Sequence, residues 1–360
     1  MEAAWHPVPG GTGRVTVDLA SALSRRSDIE VQGFSAWHRR PAPPDFSPTI
    51  SVRKLKVPRP LLYEAWSRAP IPRLNVKGHD IVHSTTIVPP PASNVPLVVS
   101  VHDLAFRRFP ERFPGRARRL FERSWRRVLE RADAVLCPSA ATSADLRAGG
   151  LAADRLHLVP LGHDPRPVTK EAGLQARQRF GIDGSFVLAA GTLEPRKNIP
   201  TLIDAFARIA SATNTQLVLA GPTGWGITPQ DLLHPLDTDT KNRVVITGAV
   251  TIDELAALYS EATVFCYPSL LEGFGLPVLE AMSYRTPVVT SKGTSTEEVA
   301  GDAALAIDPN SVGDLADALR TVLTDRHFAR ELAQRGYERS TAFSWDSAAS
   351  AIVAVYRSLL

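Results

Sequence analysis

From residue 29 to residue 307, short apolar runs alternate with helix-like runs almost without interruption, and that alternation leaves few architectures open. Parallel strands cannot be joined by a tight turn. They need a crossover, usually a helix, so the pattern argues for an α/β chain built on doubly wound parallel sheets. In the first half the clearer strand runs are residues 29–34, 80–84, 97–101 and 134–137. The second half repeats the plan at 186–190, 217–220, 244–246, 264–267, 288–290 and 305–307. Between the halves, Pro160, Pro165 and Pro167 interrupt both periodicities, so residues 160–169 read as an interdomain linker. Residues 39–75 are rich in Pro and Arg with weak periodicity and read as a long excursion rather than a core element. A length of 360 residues suits two such domains.

Other classes are less compatible with the chain. No apolar run approaches the roughly 18–20 residues of a membrane span, and the start lacks a signal-peptide pattern, so a cytoplasmic protein is expected. Cys137 and Cys266 are the only cysteines, each inside an apolar run, which points to a reduced compartment without a disulfide. Charge is unevenly spread: residues 1–165 hold 24 Lys and Arg against 15 Asp and Glu, and the remainder 17 against 22. The first half therefore faces, or tolerates, something anionic.

Four segments at strand ends carry the chemistry. Glu272-Gly273-Phe274-Gly275-Leu276-Pro277-Val278-Leu279-Glu280 places a Gly-rich turn between an apolar run and a helix read over residues 276–284. Helix-start amides at the carboxyl end of a parallel strand favour phosphate oxygens, and Gly273 and Gly275 let backbone approach a ligand. Glu272 and Glu280, about two helical turns apart, are expected on one helix face as acceptors for sugar hydroxyls. A buried strand-turn-helix corner with two solvated Glu residues gives the same spacing. Gly191 to Asn198 forms a second such corner, where Arg196 and Lys197 suit a diphosphate, although such a pair in a loop is often only surface charge. Pro9-Gly10-Gly11-Thr12-Gly13 opens an amphipathic helix and can admit a phosphate or sugar against bare backbone. His102-Asp103 ends the run 97–101, where the His reads equally as a structural residue or as a catalyst.

In this order the segments PGGTGR, SVHDLAF, RADAVLCPSA, VPLG, GTLEPRKNI, LVLAGP, PSLLEGFGLPVLEAM and TPVVTS resemble the family 4 retaining glycosyltransferases of the GT-B fold, over nearly the whole chain. The resemblance implies two Rossmann-like domains facing a cleft. These are an acceptor-binding domain at 1–163, a nucleotide-sugar-binding domain at 164–344, and a C-terminal helix at 345–360 crossing back to the first domain. It implies transfer of a hexose, with retention and without a metal or other cofactor, from a GDP-mannose or UDP-glucose type donor. The acceptor would be a glycan, lipid-linked or small molecule of cell-envelope polysaccharide or glycolipid synthesis. By the same resemblance Glu280 binds the ribose, Glu272 contacts the transferred sugar, and Arg196 and Lys197 grip the diphosphate with the amides of Phe274, Gly275 and Leu276. His102 then lies near the reacting carbon, and Gly11 and Thr12 lie by the phosphate and acceptor. Base selection is expected from main chain around residues 247–250. Asp237-Thr238-Asp239 spells the metal-binding D-x-D of another glycosyltransferase fold, but it lies in a polar stretch after Pro235 and is read as chance.

Two departures stand out. The family's Gly-rich loop follows a first core strand, whereas here Pro7 and Pro9 spoil the short preceding stretch. The first strand is therefore expected to be missing, with a start assigned too late as the favoured explanation. Arg285 stands where the family usually has Gly before Thr-Pro-Val-Val, which bears on the helix end. Residues 107–127 hold nine Arg and two Glu, with Leu120, Phe121, Ser124, Trp125 and Val128 on one helical face. This is either a helix packed on its own domain or a peripheral contact with anionic lipid on the inner face of the membrane. A nucleotide-sugar epimerase of the same fold is the near alternative. Nucleic-acid binding is the distant one, prompted by a pI near 9.2 but without a supporting motif, so no nucleic-acid partner is expected.

Overall fold

The inner strands of this chain form where apolar runs can be covered on both faces, and the computed structural model describes residues 1–6, 10–69, 71–91, 94–224, 226 and 228–360. The chain divides into two units, one of Met1–Gly162 with Ser344–Leu360, the other of His163–Phe343.

The first unit holds a four-stranded and a two-stranded sheet, both parallel. β1 (Gly33–Trp37) pairs with β2 (Val52–Pro58). β3 (Val82–Ser84), β4 (Leu97–Ser100), β5 (Ala134–Cys137) and β6 (Leu156–Leu158) lie in sequential order. β4 and β5 are buried throughout, and their Val99 and Val135, with Val101 just beyond β4, pack with Trp125 and Val128 from the helix Gly115–Arg131. Each such fully buried side chain contributes about 2 kcal/mol. The C-terminal helix Trp345–Ser358 packs on the helix Gly10–Ser24. Gly162 makes that return possible, because a Cβ there would lie 2.2 Å from Trp345 N.

Two expectations are corrected in this unit, and one strand was not anticipated. Residues 39–75 are not an excursion: they contain β2 and the helix Arg59–Arg68, whose Leu62 and Trp66 are buried. β2 escaped notice because its half-buried Val52, Leu55 and Val57 are interspersed with exposed Arg53, Lys54 and Lys56, so only one face carries an apolar signal. The strand expected at 29–34 starts at Gly33, and β6, only three residues long, gave no recognisable run. Among the described residues no strand precedes β1, and Glu2–Trp5 forms a 3-10 turn whose Glu2 carboxylate accepts the Ala36 N–H at 2.8 Å. Pro7 and Pro9, on which the reading of that stretch rested, lie outside the described residues.

The second unit is one parallel six-stranded sheet in the order β12-β11-β10-β7-β8-β9. Its strands are β7 (Phe186–Ala190), β8 (Gln216–Ala220), β9 (Val244–Gly248), β10 (Val264–Tyr267), β11 (Val288–Ser291) and β12 (Leu305–Ile307). Every residue of β7, β10 and β11 is buried, as helices on both faces require. The helices Ile199–Thr213 and Val312–Thr324 pack together, placing Leu202, Phe206, Leu315 and Leu319 in the core. The chain runs outward from β7 to β9, then returns to lay β10 against the other side of β7. Ligands of open parallel sheets bind at such a reversal, beyond the carboxyl ends of the two strands.

Candidate active site

The loops leaving β7 and β10 are stitched together at that reversal. Leu270 N–H donates to Arg196 O at 2.8 Å, and Arg196 Nη1 donates to Leu271 O at 3.2 Å. After β7, Gly191 takes φ +127°, and Pro195–Lys197 forms a 3-10 turn ending on Asn198 in the left-handed region. The Asn198 side chain fixes that turn by donating to Pro309 O at 2.6 Å.

Glu272 is the centre of the cluster. Its Oε1 lies 2.7 Å from Arg196 Nη1, 2.6 Å from Lys197 Nζ, 2.6 Å from Ser269 Oγ and 3.0 Å from Tyr267 OH. Lys197 Nζ also donates to Tyr267 OH, and Arg196 Nε meets the buried Glu194 carboxylate at 2.5 Å. Burial alone would push the Glu272 carboxyl up, but Arg196 and Lys197 with the donated hydrogen bonds hold it at about 2. Burial lowers the Lys197 ammonium, as does Arg196, against the opposing pull of Glu272. Two carboxylates and two cations leave the cluster formally neutral.

Glu272 and Glu280 do not share a helix face, contrary to the expectation from their spacing. The helix is Leu276–Ser283, and Gly275 at φ +112° turns the chain before it, so Glu272 belongs to the loop. Only Gly fits at 275, since a Cβ would sit 2.9 Å from Thr296 Cγ2. Glu280 joins a different network, accepting from Tyr259 OH at 2.9 Å. Phe274 is buried, with its ring edge-on to Phe343 at 5.8 Å, and the amides of Phe274, Gly275 and Leu276 precede the first intrahelical bond, Val278 N–H to Gly275 O. Helix-start amides of this kind suit an anion. Arg285 adopts φ +58°, taking the left-handed position usual for Gly, with its guanidinium 3.7 Å from the Tyr337 ring centroid. Asp237 caps the helix Thr238–Lys241 by accepting the Thr240 N–H at 2.9 Å.

In the first unit His102 Nε2 lies 3.1 Å from Thr85 O, while Asp103 accepts the Ala105 N–H at 2.9 Å. Burial lowers the His102 pKa, with the Thr85 carbonyl and Asp103 opposing, so the imidazole is neutral at physiological pH. Thr85 Oγ1 in turn lies 3.1 Å from Thr16 Oγ1 on the helix opened by Gly10 and Gly11. Gly11 and Thr12 are exposed there, and a Cβ at Gly11 would touch nothing within 4 Å.

The sequence did not single out Tyr267, Ser269, Glu194 or Tyr259. Both Tyr267, at the end of an apolar strand run, and Tyr259, on the helix Ile252–Glu261, are buried, and only tertiary packing brings their hydroxyls to Glu272 and Glu280. His83 was likewise missed: it bridges Tyr356 OH at 2.6 Å and Ser100 Oγ at 2.8 Å, and burial lowers its pKa to about 3. Along the basic helix, Ser124, Trp125 and Val128 are buried in their own unit and Phe121 packs against Phe106 at 5.5 Å. Arg123 binds Glu64 and Arg107 binds Glu122, while Arg116, Arg118, Arg119 and Arg126 are exposed. No helix among the described residues is long and apolar enough to cross a membrane.

Two family models match: "Glycosyl transferases group 1" over residues 175–339 and "Glycosyltransferase Family 4" over residues 9–166. The O-antigen chain mannosyltransferase B of Escherichia coli is 33% identical over 270 residues, covering 73% of this chain and 70% of that protein. The serotype-specific mannosyltransferase WbdA of the same organism is 30% identical over 79% of this chain, which spans only 36% of WbdA. Among solved structures, sucrose-phosphate synthase from Thermosynechococcus elongatus superposes with a TM-score of 0.76 at 26% identity, covering 97% of this chain and 94% of that one. Anabaena HepE in complex with UDP and glucose gives 0.75 at 20% identity, covering 99% and 98%.

Proposed function

This chain belongs to the group 1, family 4 glycosyltransferases and is a hexosyltransferase of the GT-B fold, and from that premise we propose that it moves mannose from a nucleoside-diphosphate donor to a glycan or lipid-linked acceptor, with retention and without a metal. UDP-glucose is the next donor in line, as HepE was solved with UDP-glucose. The mannose preference draws on the mannosyltransferases among the relatives.

The observation that carries the reading is the convergence of Arg196, Lys197 and Glu272 at the sheet reversal. Two cations and the amides at 274–276 would stabilise charge developing on a departing diphosphate, the task a divalent ion performs elsewhere. Glu272, ionised at neutral pH, would accept a hydroxyl of the transferred sugar, and Glu280 one from the ribose. With His102 Nε2–H given to Thr85 O, its Nδ1 is left as an acceptor for the sugar. Gly11 and Thr12 offer open backbone to the phosphate and acceptor. The acceptor hydroxyl attacks the anomeric carbon from the face the diphosphate leaves, and its proton passes to the leaving phosphate oxygen. The scheme needs no protein nucleophile.

We further propose a cytoplasmic enzyme whose Arg116, Arg118, Arg119 and Arg126 rest on anionic lipid at the inner membrane face, the apolar side of that helix being committed to its own core. Replacing these four by Ser should abolish co-sedimentation with anionic vesicles.

Acceptor-dependent release of nucleoside diphosphate, screened over GDP- and UDP-sugars in EDTA, tests the main reading. Glu272→Ala and Lys197→Ala should nearly abolish release while a cooperative thermal transition persists. Wild-type turnover by either variant, or activity restored only by manganese, refutes it.

A further inference from the structure

Glu272 is held on one oxygen. All four donors reach Oε1, and among the described residues no donor is seen at Oε2. Two of the four, Arg196 and Lys197, are the groups that the proposed diphosphate would draw on, and both are already balanced by Glu194 and Glu272. A diphosphate adds at least two negative charges, so its binding weakens the cations' hold on the carboxylate just when the sugar needs that carboxylate oriented.

The two neutral donors have no such second task toward phosphate, and they differ from each other. Ser269 Oγ has one proton and three acceptors in reach, Glu272 Oε1 at 2.6 Å, Arg196 O at 3.0 Å and Leu271 O at 3.3 Å. Tyr267 OH accepts from Lys197 and donates to Glu272 Oε1. Its ring is 2% exposed and stacked on Phe265 at 5.7 Å, so the hydroxyl is fixed by the end of β10 rather than by the ligand. We propose that Tyr267 is a positioning residue of the donor site: its hydroxyl keeps Glu272 Oε1 when Arg196 and Lys197 turn to the diphosphate, leaving Oε2 aimed at the sugar. This rests on the function proposed above.

Tyr267→Phe retains the ring and removes only the hydroxyl. With the sugar nucleotide that the wild type turns over, kcat should fall about tenfold or more, the worth of one hydrogen bond to a charge. Affinity for GDP or UDP alone should stay within about twofold, because the diphosphate contacts are untouched. In a Glu272→Gln background the same change should cost nothing further, since Tyr267 acts through the carboxylate. Unchanged kcat, equal loss of nucleoside diphosphate affinity and turnover, or a further tenfold loss in the Glu272→Gln background would each overturn the proposal. A wild type that releases no nucleoside diphosphate would instead sink the functional reading beneath it.

Discussion

Glu272→Gln keeps the shape of the side chain and removes its charge, so it measures what the ion cluster is worth. Burial favours the protonated form, yet Arg196, Lys197 and the donated hydrogen bonds bring the folded pKa to about 2 from the ordinary 4.5. At about 1.4 kcal/mol per tenfold in acidity, the difference amounts to about 3 kcal/mol. Because the folded pKa is depressed, that contribution is complete above pH 4.5 and is lost as pH falls toward 2. The figure is an upper bound. Without Glu272, burial and Arg196 act on Lys197 with less opposition, and a Lys that sheds its proton relieves part of the cost. Guanidinium unfolding of both proteins from pH 7 to pH 3, reading the transition of residues 163–343, gives the gap directly, and titrations common to both proteins cancel. The variant should be less stable by up to about 3 kcal/mol at pH 7, with the gap about halved at pH 3. A gap independent of pH, or none at pH 7, would refute the claim that the cations hold the carboxylate ionised.

Gly275→Ala should cost about 2–3 kcal/mol and most activity, from a strained φ of +112° and a Cβ 2.9 Å from Thr296 Cγ2; a stability within about 0.5 kcal/mol of wild type would show that the turn can relax. Arg285→Gly relieves the left-handed conformation but forfeits the stack on Tyr337, whereas Arg285→Ala forfeits the stack and keeps the strain, so chemical denaturation should rank Gly above Ala by about 1 kcal/mol. Trp125→Ala should destabilise residues 1–162 by about 3–5 kcal/mol, since the ring is fully buried and its N–H donates to Gly149 O at 3.1 Å. Tyr259→Phe removes a donor to Glu280 and should weaken binding of a nucleoside more than binding of inorganic pyrophosphate, as read by calorimetry.

The basic first half shows how a pattern can be right while its meaning depends on contacts. The apolar residues of the helix Gly115–Arg131 were visible in sequence, but whether they face lipid or their own core depends on β4 and β5, which occupy that side with Val99 and Val135. In the same basic stretch Arg123 of the helix pairs with Glu64, and Arg107 and Arg108 before it pair with Glu122 and Asp145, so the cations left exposed are fewer than the composition suggested. β2 and the helix after it were lost for the opposite reason, a one-sided burial too weak to show periodicity.

Residue types alone determined the parallel α/β architecture and the identity of the site's corners, because strand-length apolar runs, Gly-rich turns and helix starts are local properties. Pairing among those corners was decided elsewhere. Lys197 and Glu272 are separated by 75 positions, and they meet only because β10 docks on β7 instead of continuing past β9. That choice of edge depends on burying both faces of β7, which no segment can do by itself. The same holds at finer scale for Glu272 and Glu280: eight positions suggest a shared helix face, but the left-handed Gly275, pressed against Thr296, sends them into separate networks.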